Sequence, residues 1–330
     1  AGQTKIVATD GLGSGAVVYE MDDLELAGNL VAASLDISGN VDIDGLTNLD
    51  VIDVDGAANF AADVTFATGA DIITGSAGTS NFRAGVNAGN SIESGGNSNT
   101  VVGDEAGTAI TTGDENVAVG TQSLDNSDVG RFNTAIGKSA LGGDQKGSKN
   151  TAVGNSALQT QNFTSATDSF NTAVGFNAGG AVTTSTDNTI IGGLAGDAAT
   201  TAAGITVVGK SAGSAITTGG DNTGIGKQAL KSTTTGTSNV AVGKDALETA
   251  TTASNNTAVG FKSLEANTTG ADNVAVGALA LDANTTASEN TAVGVSSLST
   301  NTTGAENVAI GYSALSNATT ASFNTAVGKS

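Results

Sequence analysis

The chain has no cysteine, histidine, proline or tryptophan among its 330 residues; aromatics make up 3% and charged residues 13%. Each shortage excludes something. Without cysteine there is neither a disulfide nor a thiolate zinc site, and without histidine the commonest general base and metal ligand is gone. So few aromatics leave little bulk for a conventional core, although the length would suit about two ordinary domains. The 32 acidic residues outnumber the 12 basic ones, for a net charge of -20. A phosphate backbone needs clustered Lys and Arg, so no nucleic-acid partner is expected. No apolar run approaches the roughly 18 residues of a membrane span and no basic-then-apolar leader opens the chain. Neither membrane insertion nor an intact signal peptide is expected. Residues 1–98 hold 14 carboxylates against Lys5 and Arg83, which reads most simply as solubility and repulsion between fibres.

What is abundant is glycine, 47 residues, and much of it is periodic. Fourteen copies of an Asn-x-Ala-Val-Gly signature run from Asn99 to Gly328, and their closing glycines, Gly103 to Gly328, stand 17 residues apart at every step but one. The exception, Gly154 to Gly175, takes 21. A degenerate copy, Asn81 to Gly89, precedes them. Seventeen residues cannot bury a core alone, so each unit must stack on its neighbours. This predicts an all-β fold, a parallel β-solenoid or β-roll of 17-residue coils, elongated by about 4.8 Å per coil.

Within a coil, Asn-Thr-Ala-Val-Gly alternates as a strand does, with Asn, Ala and Gly on one face and Thr and Val on the other. Both faces are compatible with burial. Stacked amides at Asn239, Asn256, Asn273, Asn290, Asn307 and Asn324 would exchange hydrogen bonds along the axis as an Asn ladder, with Ile205 the one replacement. Four residues after the glycine, Leu124, Leu141, Leu158, Leu230, Leu247, Leu264, Leu281, Leu298 and Leu315 would form an apolar column. The connecting segments are rich in Thr, Ser, Asn and Gly, which are turn residues. From about Gly226 they alternate between Thr-Thr-Gly and Ala-Thr-Thr-Ala-Ser, predicting two coil types in turn. The four extra residues between Leu158 and Asn171 should bulge outward.

Residues 24–80 keep the step only in part, as in Leu24-Glu25-Leu26-Ala27-Gly28 and Val41-Asp42-Ile43-Asp44-Gly45. They read as an irregular β-shaft, residues 1–23 as an attachment or capping segment, and 81–330 as the solenoid. Asp42, Asp44, Asp53 and Asp55 are the candidate metal ligands, for calcium, a cation that takes carboxylate and carbonyl oxygens. Neither Asp-x-Asp-Gly run completes a calcium loop, so solvated strand edges are the preferred reading and no cofactor is expected. Asn162, Asn267, Asn284, Asn301 and Asn317 head Asn-x-Thr triplets, glycan acceptors in some settings but equally what a polar turn wants. Threonine columns invite an ice-binding reading. That reading needs Thr at both outward positions of a strand, and Val or Ile holds the second. Catalysis would have to rest on carboxylates alone, and their positions wander between coils; a carboxylate glycosidase is the enzymatic alternative, and no catalytic residue is assigned.

The stretch from Asn239 to Gly328, with Asn-Val-Ala-Val-Gly-x-x-Ala-Leu and Asn-Thr-Thr-Gly, resembles the repeats of phage tail-fibre proteins and, more distantly, the head repeats of trimeric autotransporter adhesins. Residues 24–45 look like the shaft of such fibres. The resemblance implies a homotrimer in which three rolls pack their Val and Leu columns about an axis. It implies a virion tail fibre, outside the cell, joined end-on to other tail proteins and contacting a host surface glycan or protein. The alternative it leaves is a bacterial or archaeal surface filament or adhesin subunit assembling end to end at the cell surface. The chain departs from the adhesins in its longer repeat and in showing neither a membrane anchor nor a stalk coiled coil, and from the fibres in lacking a terminal self-cleaving chaperone.

Overall fold

The computed structural model describes residues 75–329, all within one compact unit, Ala67–Ser330. The expected attachment segment, all of the shaft before residue 75, and Asp42, Asp44, Asp53 and Asp55 lie outside the described residues.

The unit is an all-β parallel solenoid, with no helix among the described residues. Fifteen three-residue strands, from Phe82–Ala84 to Thr325–Val327, form a single parallel sheet in which each strand pairs with the next coil. The register never slips. Thr257 faces Val274, Ala258 faces Ala275 and Val259 faces Val276, and the same match recurs across the long coil, where Thr151 faces Thr172. Coil-type bonding also reaches below residue 81: Thr79 N–H donates to Asn97 Oδ1 at 2.9 Å and Ser98 N–H to the Thr79 carbonyl at 2.9 Å.

Between strands the chain turns by repeated left-handed residues. Two and four residues after each signature glycine, and again just before each ladder Asn, φ is positive, as at Lys262 (56°), Leu264 (51°) and Asp272 (59°). Each such non-glycine residue costs on the order of 1 kcal/mol or more, and a β-branched side chain would cost more still. None of these positions holds Val, Ile or Thr, in a chain rich in all three. The glycine itself is required for a second reason. At Gly260 φ is +141°, and a Cβ would stand 2.5 Å from the Gly277 carbonyl oxygen of the next coil.

The interior is narrow and built of columns. In most coils the ladder Asn and the Ala of the strand point inward, joined by the Ala or Ser three residues after the glycine and, where present, by the Leu after that; Leu230, Leu247, Leu264, Leu281 and Leu298 are fully buried, and Leu315 packs against their cluster partly buried. This corrects the expectation that Leu columns pack between chains. Leucine is consumed inside one coil stack, where burying it contributes about 1.5–3 kcal/mol, and the outward columns are Thr or Val and Val or Ile.

Most coils hold one large side chain inside and trade its place, while the Gly209 coil buries Ile205, Val207 and Ile216 together and the Gly103 coil Val101 with Ile110. Where the fourth residue after the glycine is Leu, the seventh is small or polar, as in Leu124 with Ser127, Leu230 with Thr233 and Leu247 with Ala250. Where the fourth is Gly, the seventh is usually large: Gly107 with Ile110, Gly179 with Val182, Gly213 with Ile216. The reason is contact. A Cβ on Gly213 would lie 2.7 Å from Ile216 Cδ1. The Gly196 coil has Ala199 as its seventh residue, and there Ile190 and Val207 fill the space from the strands.

The two expected coil types are present in the geometry. Ser254, Ser288 and Ser322 accept the backbone N–H of Thr237, Ala271 and Ala305 in the preceding coil at 3.0 Å. The preceding coils carry Gly236, Gly270 and Gly304, at each of which a Cβ would collide with a carbonyl oxygen of the Ser-bearing coil. The Gly of one coil type and the Ser of the other thus meet matched partners across each of these steps.

The trade of volume makes a prediction. Leu247→Gly should cost about the 2–5 kcal/mol of a buried Leu→Ala change, less the about 1 kcal/mol of left-handed strain that glycine relieves at φ 51°, and adding Ala250→Ile should restore most of it. Ala250→Ile alone should overpack and cost about 1–3 kcal/mol. Urea unfolding followed by circular dichroism reads all three; no rescue in the double variant would refute the exchange.

Candidate functional site

The ladder is the most developed polar structure among the described residues. Asn273 N–H and Nδ2 both donate to Asn256 Oδ1, at 3.0 and 3.1 Å, and its Nδ2 also reaches the Ala287 carbonyl at 2.9 Å. Asn290 N–H and Nδ2 in turn donate to Asn273 Oδ1 at 3.0 and 3.3 Å. Asn239, Asn256, Asn307 and Asn324 are bonded along the axis in the same way. Each buried amide thus satisfies a backbone donor as well as a neighbouring amide, and Asn239 to Asn307 are fully buried. At the break in the ladder, Ile205 N–H still donates to Asn188 Oδ1 at 3.0 Å. This is a structural device, closed to ligand.

Asn267, Asn284 and Asn301 prove to be interior too. They are fully buried, Nδ2 of Asn284 donates to Asn267 Oδ1 at 3.0 Å, and each amide bonds the carbonyl three residues ahead. They occupy the seventh-residue column, so neither a glycan acceptor nor an exposed turn describes them; Asn317 is exposed and Asn162 half-buried.

The long coil changes the surface while leaving the columns in place. Leu158 and Asn171 hold their positions, Phe163 tucks inward, and residues 164–166 are exposed at the tip. Gly147–Ser148 and Thr167–Asp168 add a small parallel pairing beside it. Inside, Asp144 is 1% exposed and accepts from Gln161 Nε2 at 2.6 Å, Phe163 N–H at 3.0 Å and Gly147 N–H at 3.1 Å. Outside, the column preceding the ladder reads Phe132, Lys149, Phe170 in successive coils, where Glu115 and Asp187 stand just before and after. Both rings are about half exposed, and Lys149 Nζ lies 5.0 Å from the Phe170 ring centre while pairing with Asp168 at 2.7 Å. Arg131 pairs with Asp114 at 3.6 Å beside them. A polar recess of about 340 Å³, lined by Gln122, Asp125, Asn126, Gln159 and Thr160, opens where Gly142 and Gly143 remove side chains.

Charge is confined to a few columns. Between Gly175 and Lys329 every charged residue stands one, two, five or twelve positions after a signature glycine. Burial raises the carboxyl pKa at Asp125, Asp197 and Asp282, all in the fifth-position column. At Asp282 the nearby Glu265 adds to the rise, while backbone donors and Lys262 oppose it. No group of three or more acidic side chains is placed to hold a metal among the described residues, and among them no helix is long and apolar enough to cross a membrane.

Two outcomes follow. Asn273→Ala strips Asn290 of its amide acceptor and should cost about 1–3 kcal/mol for each buried group left unpaired, seen as a lower urea midpoint; a loss no larger than at exposed Asn255 would count against the ladder. A raised native pKa means that Asp282 favours folding below its unfolded pKa and loses that contribution as pH rises through the folded value. Asp282→Asn should therefore raise the urea midpoint at pH 7, with the gain shrinking as pH falls through the carboxylate range. No family model matches this chain, and no curated protein matches it.

Proposed function

We propose that the chain is a non-enzymatic structural fibre of the phage tail-fibre kind, which spans distance as a homotrimer and presents a surface for host attachment. The observation that carries this is the outward face of the sheet. From Thr100 to Val327 it is two unbroken columns, Thr or Val beside Val or Ile, without a single charge. Ile136, Ile225, Val276 and Ile310 are 36–41% exposed along it. In a chain of net charge -20 this is the face along which copies can approach without repulsion, and packing it adds the apolar burial that so narrow a core lacks. Rigidity comes from fifteen strands in one register, a stack on the order of 67 Å long.

Attachment would use irregular surface, and the long coil supplies it. Exposed Phe132 and Phe170, with Arg131, Lys149 and Asp168 between them, offer ring faces and hydrogen-bonding groups to a host glycan or protein. Three copies around an axis would multiply a weak contact through effective concentration.

Light scattering on the purified chain, with negative-stain images, tests the assembly. Discrete rods of three chains are expected; single chains refute the trimer, and polymers that lengthen with concentration favour an end-to-end surface filament. Fluorescently labelled protein applied to a panel of bacterial strains then tests attachment, which Phe132→Ala with Phe170→Ala should weaken without changing the mass.

A further inference from the structure

A second uncharged face begins after the long coil and has a different character. Eight and nine residues after each glycine from Gly175 to Gly311, the chain reads Thr-Thr: Thr183-Thr184 first and Thr319-Thr320 last, in nine consecutive coils without exception. The sixth to eleventh positions in those coils hold no charged residue. Among the earlier coils that of Gly103 keeps Thr111-Thr112 but carries Asp114 at the eleventh position, and the next two break both rules, with Asp128-Val129 and Gln145-Lys146 at the same places.

The first threonine of each pair has a structural duty. Thr183 Oγ1 donates to the Thr200 carbonyl at 3.0 Å, Thr200 to Thr217 at 2.9 Å, Thr217 to Thr234 at 3.1 Å, and so on to Thr302 and Thr319 at 3.0 Å. One bond repeated at each step holds every side chain in the same orientation, so the methyls are ranked as well as the hydroxyls, and each oxygen keeps acceptor capacity. The second threonine has no such duty. It is exposed in all nine coils, yet it never varies, whereas the equally exposed residue before the ladder runs through Asp187, Ser238, Asn255, Asp272, Glu289 and Phe323. A turn that needed only polarity would have drifted likewise.

We propose that this Thr-Thr face binds ordered water, and specifically the surface of ice. Its ranks repeat at about 4.8 Å over about 38 Å, a spacing close to the oxygen repeat of the ice lattice. Hydroxyls supply lattice hydrogen bonds, methyls hold ordered water in the gaps, and the lack of charge removes the strongly hydrated groups that would disrupt that order. On the strand face Val or Ile stands beside Thr, as the sequence already indicates, and the pair of threonine columns stands instead at the turn. The proposal does not depend on the fibre reading.

The test is ice-crystal growth and recrystallisation in the presence of the purified chain. Faceted crystals, a gap between melting and freezing points and arrested recrystallisation are expected. The triple variant Thr235→Lys, Thr269→Lys, Thr303→Lys replaces exposed side chains of the rank and should lose all three effects with its β-type circular dichroism intact. Glu289→Lys, on the charged column, should keep them. Unshaped ice with the native chain, or undiminished activity in the triple variant, overturns the proposal. Light scattering on the same samples shows separately whether the trimer stands.

Discussion

Everything in this molecule depends on coil-to-coil bonding along one axis. A single coil buries one to three large side chains and a few alanines, far short of the entropy of ordering 17 residues. The deficit is met only because each coil bonds those above and below through its strand, its ladder Asn and its turn carbonyls. That demand explains the strict period: a slip of one residue would send Asn and Ala outward and Thr and Val inward. It also explains how the chain sustains three left-handed residues per coil, each tied by its N–H to a neighbouring coil, Lys262 to the Lys244 carbonyl of the coil before and Leu264 to the Ala280 carbonyl of the coil after, both at 3.0 Å.

The same constraint sorts the surface. Inward columns admit only what the next coil can meet, so volume is exchanged between the fourth and seventh positions, and amides appear where they can stack. Outward columns are free to vary, and most do, which makes the two that do not informative. The sheet face stays uncharged over its full length and suits packing against copies. The Thr-Thr face is uniform over nine coils only and suits a periodic surface. Charge collects on the remaining columns, where lysines sit over exposed rings, as Lys244 and Lys262 do at Phe261, 5.5 and 5.7 Å from its centre.

The long coil shows how much irregularity the stack tolerates. Four extra residues leave Leu158 and Asn171 in their columns because the surplus is bonded to the coil before, through Gln161 Nε2 and Phe163 N–H on Asp144. Function that needs variety has its place there, and function that needs repetition has it in the coils that follow.

By itself the sequence determined the period, the strand, the coil count, the ladder and the leucine column, because each depends on residues recurring at one spacing in a parallel stack. The pairing of Gly107 with Ile110 and of Leu124 with Ser127 was equally written there; only contact distances give it meaning. Which faces point inward was decided by tertiary structure. Alternation alone leaves Thr-Val and Asn-Ala as equal candidates for burial, and the choice follows from the left-handed turns, which bring Leu264 under Ala258 in one chain and leave Val259 outside. The buried Asn267, Asn284 and Asn301 look like surface in the sequence for the same reason: a polar triplet beside Thr-Thr has the composition of a turn, and only the fold gives its amide a partner one coil away.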